Sequence, residues 1–218
     1  MSEDITTNDL LLAYRAGLFP MAESREDDQL WWFDPPERGQ LDINNLHISS
    51  RLRRTVLAAP YTIKIDTAFD QVIEHCAAVR PQQYETWINP RIRTLFGALH
   101  REGWAHSIEA WEGDKLVGGL YGLALGGLFC GESMFSKARD SSKICLVHLC
   151  ARLWKGGFSV LDTQFVNPHL MQFGCYEISR EEYHRRLQIA LPRKADFSLS
   201  AFPALTETAL VSDYLKNR

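Results

Sequence analysis

Two stretches of this chain put acidic and amide side chains where an apolar strand is expected. One is Gly131-Glu132-Ser133-Met134-Phe135-Ser136 and the other is Leu161-Asp162-Thr163-Gln164. A carboxylate taken out of water costs several kcal/mol unless something pairs with it. A stretch built only for stability would carry Val or Leu at such positions. Glu132, Asp162 and Gln164 therefore read as a site for a cationic or amine-bearing substrate. At spacing i, i+2 on an extended strand, Asp162 and Gln164 are expected to face the same way.

The elements around these stretches can be read from periodicity and breakers. A helix is predicted from Asn8 to Ala16, capped by Thr7 or Asn8 and stopped by Gly17 ahead of Pro20. Pro35, Pro36 and Gly39 mark a boundary, which divides the chain into a small N-terminal unit (1–38) and a main domain (39–218). Trp31 and Trp32 read as wedges between the two. A strand over Tyr61–Ile65 leads through Asp66-Thr67, a capping pair, into a helix with Phe69, Val72, Ile73 and Cys76 on one face. Asn89-Pro90 starts the next helix, with Ile92, Leu95, Phe96 and Leu99 on its apolar face.

Beyond it the texture changes to strands, from His106 to Trp111, Lys115 to Ala124 and Leu128 to Met134. They are separated by turns at Glu112-Gly113-Asp114 and Gly126-Gly127. A helix from Ser141 to Lys155, a short buried strand from Phe158 to Leu161, a helix from Arg180 to Ala190 and an irregular tail complete the order. This is an α+β pattern on a mostly antiparallel sheet. It fits a GNAT-like acyltransferase domain with a small N-terminal α/β unit.

Composition narrows the class. The chain has 218 residues, 45% hydrophobic and 23% charged, with a net charge of −3. It is long enough for a full core, and it has neither a membrane-crossing apolar run nor a signal-peptide pattern. The charge gives no global field for nucleic acid. Contact with RNA must rest on local clusters such as Arg51, Arg53 and Arg54, which alone read as a solvated helix face. The five cysteines, Cys76, Cys130, Cys145, Cys150 and Cys175, read as buried apolar residues in a reducing cytosol. His148 near Cys145 is weak support for a catalytic thiol. No metal-ligand pattern appears, and the absence of heptads points to a monomer.

The ordered blocks resemble one family. They are Ala13-Tyr14-Arg15-Ala16-Gly17-Leu18-Phe19-Pro20, Thr86-Trp87-Ile88, Ala105 to Trp111, Leu116 to Gly122, the Gly-Glu-Ser-Met-Phe-Ser block, Ser142-Lys143, Asp162-Thr163-Gln164 and His169-Leu170. Together they resemble the leucyl/phenylalanyl-tRNA–protein transferases. The resemblance implies transfer of leucine, phenylalanine or methionine from aminoacyl-tRNA to an N-terminal arginine or lysine, tagging the acceptor for N-degron proteolysis in the cytoplasm. It implies no cofactor and no membrane.

It also implies roles. Glu132 contacts an α-amino group, and Asp162 with Gln164 activates the attacking amine. The sequence leaves open whether Asp162 is a base or orients Gln164, and a carboxylate that merely fixes a loop is the bland alternative. Leu120, Leu149, Leu153 and Leu161 line the donor side-chain pocket, with Ser133 beside Glu132. Trp87 and Phe96 stack on the terminal adenosine, and Arg51, Arg53 and Arg54 meet the acceptor stem. A second stacking tryptophan of the pattern is Met21 here, and cationic positions of the pattern are Ser50, Leu57 and Ala58. His106 and His169 read first as structural.

Two other functions stay open. An acyl-CoA-dependent N-acyltransferase is opposed by Ser136-Lys137-Ala138-Arg139-Asp140, which lacks the glycine-rich entry that cradles a pyrophosphate. An inactive RNA- or peptide-binding module would have little use for three polar groups in apolar strands.

Overall fold

The computed structural model describes residues 5–78 and 86–218. In chain order the elements are α1 (Thr7–Arg15), β1 (Phe19–Met21), β2 (Trp31–Phe33), β3 (Glu37–Leu41), α2 (Ser50–Leu57), β4 (Thr62–Ile65), α3 (Phe69–Cys76) and α4 (Pro90–Arg101). They continue with β5 (Ala105–Glu112), β6 (Lys115–Leu125), β7 (Leu128–Ser136), α5 (Ser141–Lys155), β8 (Val160–Gln164), α6 (Pro168–Met171), β9 (Tyr176–Ser179), α7 (Arg180–Ala190) and α8 (Glu207–Lys216). Seven strands form one mixed sheet in the order β4-β5-β6-β7-β8-β3-β9, and β1-β2 form a separate ribbon. Every neighbouring pair is antiparallel except β7 and β8. This is an α+β architecture.

The sheet has an apolar core on each face. One contains Tyr14, Phe69, Phe96, Tyr121 and Tyr183, so α1 of the N-terminal segment shares it with α3, α4 and α7. The other contains Leu120, Leu149, Leu153, Leu161 and Tyr214 under α5 and α8. Helix α5 lies close over β6 because Gly118 has no side chain. A Cβ there would run into Ser141, whose Oγ donates to the Val117 carbonyl at 2.9 Å. No helix among the described residues is long and apolar enough to cross a membrane.

Several local expectations change. Helix α1 is capped by Thr6 rather than Thr7 or Asn8. The Asp9 carboxylate returns a bond to the Thr6 amide at 2.9 Å, closing a capping box, and Gly17 leaves the helix at φ +89°. The start of α3 is held from outside: the Glu109 carboxylate on β5 accepts from the Thr67 and Ala68 amides at 2.8 and 2.7 Å and from the Thr67 hydroxyl. The tail is not irregular. Thr206 caps α8, which buries Leu210, Val211, Tyr214 and Leu215. Trp31 and Trp32 are not wedges, since they stand 48% and 38% exposed on the outer ribbon. Cys175 is only half-buried, unlike the other four cysteines.

Candidate active site

The site begins where two parallel strands part. Strands β7 and β8 are paired at Leu128/Val160, Phe129/Leu161 and Cys130/Asp162 and no further. Beyond Cys130, β7 follows β6 alone, and β8 continues beside β3. Each strand is also bulged at the point of departure. Tyr121 opposes Ser133 and Gly122 opposes Gly131, so Glu132 is the extra residue on β7. Gly39 opposes Gln164 and Gln40 opposes Asp162, so Thr163 is the extra residue on β8. A bulge redirects a side chain out of strict alternation, which is how a glutamate stands in an apolar strand without facing the core. A cavity of about 590 Å³ occupies this region. Leu120, Leu149 and Leu161 form its apolar wall, and Glu132, Ser133, Asn167, His169 and Trp87 also line it.

Glu132 is half-buried and lines the cavity. Tyr14 Oη donates to its Oε1 at 2.8 Å. Burial pushes the carboxyl up to about 8; the Tyr14 bond opposes this, the Asp162 charge adds to it and Arg38 opposes it. The Gln164 side-chain amide is oriented with its nitrogen donating to the Gly131 and Thr163 carbonyls at 2.9 and 3.0 Å. Its oxygen then stands 3.4 Å from Glu132 Oε1. Two bare oxygens resist that approach, and a shared proton or an amine N–H between them relieves it.

Asp162 has other company. Its carboxylate is fully buried and accepts from Arg38 Nε at 2.9 Å, Arg38 Nη2 at 2.6 Å, Tyr183 Oη at 3.2 Å, Gln40 Nε2 at 3.3 Å and the Gln164 backbone N–H at 3.0 Å. Arg38 is itself 1% exposed and lies over the rings of Phe19 and Tyr183, 4.6 and 4.2 Å from their centroids. Its Nη1 donates to the Gly17 carbonyl at 2.7 Å. The expected common face of Asp162 and Gln164 is not kept. Gln164 adopts φ +56° after the bulge, so its amide meets Glu132 and Gly131 while Asp162 meets Arg38.

Comparison with known proteins now bears on this geometry. The family model for the leucyl/phenylalanyl-tRNA protein transferase matches residues 40–188, and that for its N-terminal domain matches residues 3–36. A leucyl/phenylalanyl-tRNA–protein transferase of Caulobacter vibrioides is 56% identical over 90% of this chain and 91% of its own. That of Rhodospirillum rubrum is 49% identical over 96% of this chain and 99% of its own, and that of Hyphomonas neptunium is 54% identical over 90% and 76%. The chain belongs to the leucyl/phenylalanyl-tRNA–protein transferase family.

This member of the transferase family gathers only some of the residues expected to act together. Glu132, Ser133, Trp87, Leu120, Leu149 and Leu161 line one cavity, whereas Leu153 is fully buried in the core beneath α5. Phe96 is also fully buried, edge-on to Tyr14 and Tyr121 at 6.5 and 5.4 Å, so it has no face to offer a base. Of the basic cluster on α2, Arg51 pairs with Asp140 at 2.9 Å and Arg53 donates to the Leu215 carbonyl at 2.6 Å. Arg54 keeps an exposed guanidinium, bonded among the described residues only to the Ser50 carbonyl of its own helix at 3.4 Å.

His106 is structural, as the sequence suggests, but its partner is the Asp66 carboxylate at 2.7 Å. Cys145 is buried and its thiol pushed far up by desolvation, so no nucleophile arises beside His148, which pairs with Glu207 at 3.3 Å. Arg38, Tyr14 and Tyr121 were not singled out from sequence. The arginine next to Gly39 reads as linker until the strand opposite it is known.

Proposed function

We propose that the chain transfers leucine, phenylalanine or methionine from aminoacyl-tRNA to the N-terminal arginine or lysine of a protein. It would act in the cytoplasm as a monomer and mark its acceptors for N-degron proteolysis. The observation that carries this reading is a glutamate on a bulge, with one oxygen open to a leucine-walled cavity and a glutamine amide beside it. The splay of two parallel strands around that cavity also supports a GNAT-like acyltransferase layout for residues 39–218, behind a small N-terminal unit.

In this reading the donor's side chain enters between Leu120, Leu149 and Leu161, and its α-ammonium meets Glu132, with Ser133 alongside. Trp87 stacks on the terminal adenine, a contact that does not depend on sequence context. The acceptor's neutral α-amine donates an N–H to the Gln164 oxygen and attacks the ester carbonyl. A C–N bond forms, the ester C–O bond breaks, and the amine's proton leaves on the ribose oxygen. Asp162, saturated by five donors, is a positioning group: it holds the Gln164 amide in its left-handed turn rather than taking the proton. Arg54, with support from Arg51 and Arg53, meets acceptor-stem phosphate, each such contact adding to the salt dependence of binding.

The CoA reading is opposed by charge. Where a pyrophosphate would approach the start of α5, the Asp140 carboxylate stands at φ +58° and pairs with Arg51. A negative group at that helix end repels a phosphate instead of leaving the amides free for it.

Two measurements check this. Labelled leucine and phenylalanine should pass from charged tRNA to a peptide beginning with arginine, and not to its N-acetylated copy. Failure with every charged tRNA by folded protein, or tight CoA binding, would sink the proposal. The acidic limb of kcat/KM should rise near pH 8, because the carboxylate form of Glu132 binds the ammonium. Tyr14→Phe removes the bond that lowers this pKa, so the limb should move up by about one unit, equivalent to ~1.4 kcal/mol. An unmoved limb would show that another group titrates.

A further inference from the structure

Past Gln164 the chain carries an aromatic surface to which the transfer reading gives no role. Phe165 stands 46% exposed and Phe33, on β2, 39% exposed. Both rings rest on the buried ring of Phe19: Phe33 stacks on it at 5.8 Å and Phe165 meets it edge-on at 5.6 Å. The three rings form one continuous strip rather than isolated surface residues. Exposed apolar area gathered in this way marks a contact surface for a partner. The backbone is built to present it. Gln164 takes the left-handed conformation and the Phe165 N–H turns back to the Thr163 carbonyl at 2.6 Å. Gly39 lets that turn cross β3, since a Cβ there would stand 2.8 Å from the Phe165 carbonyl carbon.

Position and charge say what the partner is. Phe165 follows directly on Gln164, so the strip begins where the transfer reading holds the acceptor's first residue. Ring spacings of 5.6 and 5.8 Å carry it on to Phe33, a length that about three residues of extended chain cover. The segment that bears Phe33 is acidic: residues 23–37 hold Glu23, Glu26, Asp27, Asp28, Asp34 and Glu37 against Arg25 alone. Asp34 is matched by Arg180 and His184, at 3.4 and 3.2 Å, and the segment keeps an acidic excess. Such a surface repels a phosphate backbone and attracts a chain that begins with a basic residue. The strip also lies apart from the basic cluster. Phe19 belongs to the core on one face of the sheet, whereas Leu52 and Val56 seat α2, with Arg51 and Arg54, on the other.

We propose that Phe165 and Phe33 form a docking strip for the acceptor's second and third residues, with a preference for apolar or aromatic side chains there. The inference rests on the transfer reading above. An extended acceptor leaves its α-amine at the Gln164 oxygen, and the side chains that follow cover the two exposed rings. The carboxylates of the 23–37 segment favour its basic end. The strip acts in acceptor binding, so its loss raises the KM for the peptide and leaves kcat and the KM for the donor near their original values.

The test compares arginine amide with two peptides beginning with arginine, one with phenylalanine and one with serine at positions two and three. The unaltered protein should show a KM about tenfold lower for the phenylalanine peptide than for the serine peptide. Phe33→Ser and Phe165→Ser should each raise the KM of the phenylalanine peptide about fivefold, with arginine amide and phenylalanyl-tRNA unaffected. No preference in the unaltered protein, or one that both variants keep, would overturn the proposal. A raised KM for phenylalanyl-tRNA would assign the strip to RNA, and a sedimenting dimer that the variants dissociate would assign it to a second copy. Either result overturns it. In the unaltered protein, a peptide with photoreactive benzoylphenylalanine at position three should attach to β2 or Phe165. Attachment elsewhere overturns the proposal even if the variants misfold. Unaltered protein that transfers from no charged tRNA would instead contradict the transfer reading, and the site of attachment would still decide the strip.

Discussion

Replacing Arg38 by methionine is expected to lower the unfolding free energy by about 3–5 kcal/mol, because Asp162 is left as a buried carboxylate without its cation. The side chain is 1% exposed and gives Asp162 two hydrogen bonds, at 2.6 and 2.9 Å. It also ties the Gly17 carbonyl to the sheet, so the connection between α1 and β1 loosens with it. Removing both charges separates stability from chemistry. The pair Arg38→Met with Asp162→Asn should recover most of the loss, since exchanging a buried ion pair for neutral groups is often close to neutral. Urea denaturation of the two single variants and the double variant measures this directly. If the single variants lose less than about 1 kcal/mol, the pair is not the staple described here. Asp162→Ala is for the same reason a poor probe of catalysis, as its loss of activity would follow from unfolding.

Glu132→Gln should have opposite effects on function and stability. An amide of the same shape keeps a polar atom near Tyr14 but loses the charge that holds an ammonium. Charge-assisted hydrogen bonds are worth about 1.5–3 kcal/mol, so kcat/KM is expected to fall about 10²-fold. Stability should rise, in a defined pH window. The folded carboxyl holds its proton up to about 8, whereas the unfolded one releases it near 4.5. Its penalty is therefore absent below pH 4.5, grows as pH rises, and is complete above pH 8. At about 1.4 kcal/mol per unit, reduced by water in the cavity, the variant gains a few kcal/mol over the unaltered protein at pH 9 and little at pH 4. Melting curves at the two pH values would refute this if they showed the same difference.

How much of this the chain discloses depends on whether the cause is local. The β5-β6-β7 meander is legible because apolar alternation is punctuated at Gly113 and Gly126, both at positive φ. The starts of α4 and α6 are legible from Asn89-Pro90 and Asn167-Pro168, where the asparagine caps and proline takes the first turn. Strands β3 and β9 escape because polar residues dominate β3 (Glu37, Arg38 and Gln40) and leave β9 only Tyr176 and Ile178, so no apolar run marks either. The apolar spacing of Leu210, Val211, Tyr214 and Leu215 does mark α8, but polar neighbours dilute it.

Within the site, the polar residues were conspicuous, but their partners were not. Arg38 meets Asp162 across 124 positions of sequence, and the bulge at Glu132 exists only relative to β6. Likewise, apolar spacing cannot separate Leu149, on the cavity wall, from Leu153, one turn deeper in the core.

The central claim is that the Gln164 oxygen receives the attacking amine while Asp162 only holds Gln164 in position. The measurement that tests it is the single-turnover transfer rate of Gln164→Asn from bound phenylalanyl-tRNA to a peptide beginning with arginine. Asparagine tolerates the left-handed backbone at φ +56° and keeps an amide, but withdraws it by one methylene. The account predicts a rate lowered by about 10²-fold or more, with donor affinity and melting temperature close to those of the unaltered protein. A rate within a few-fold of the unaltered one would contradict it and return the proton-handling role to another group of the cavity.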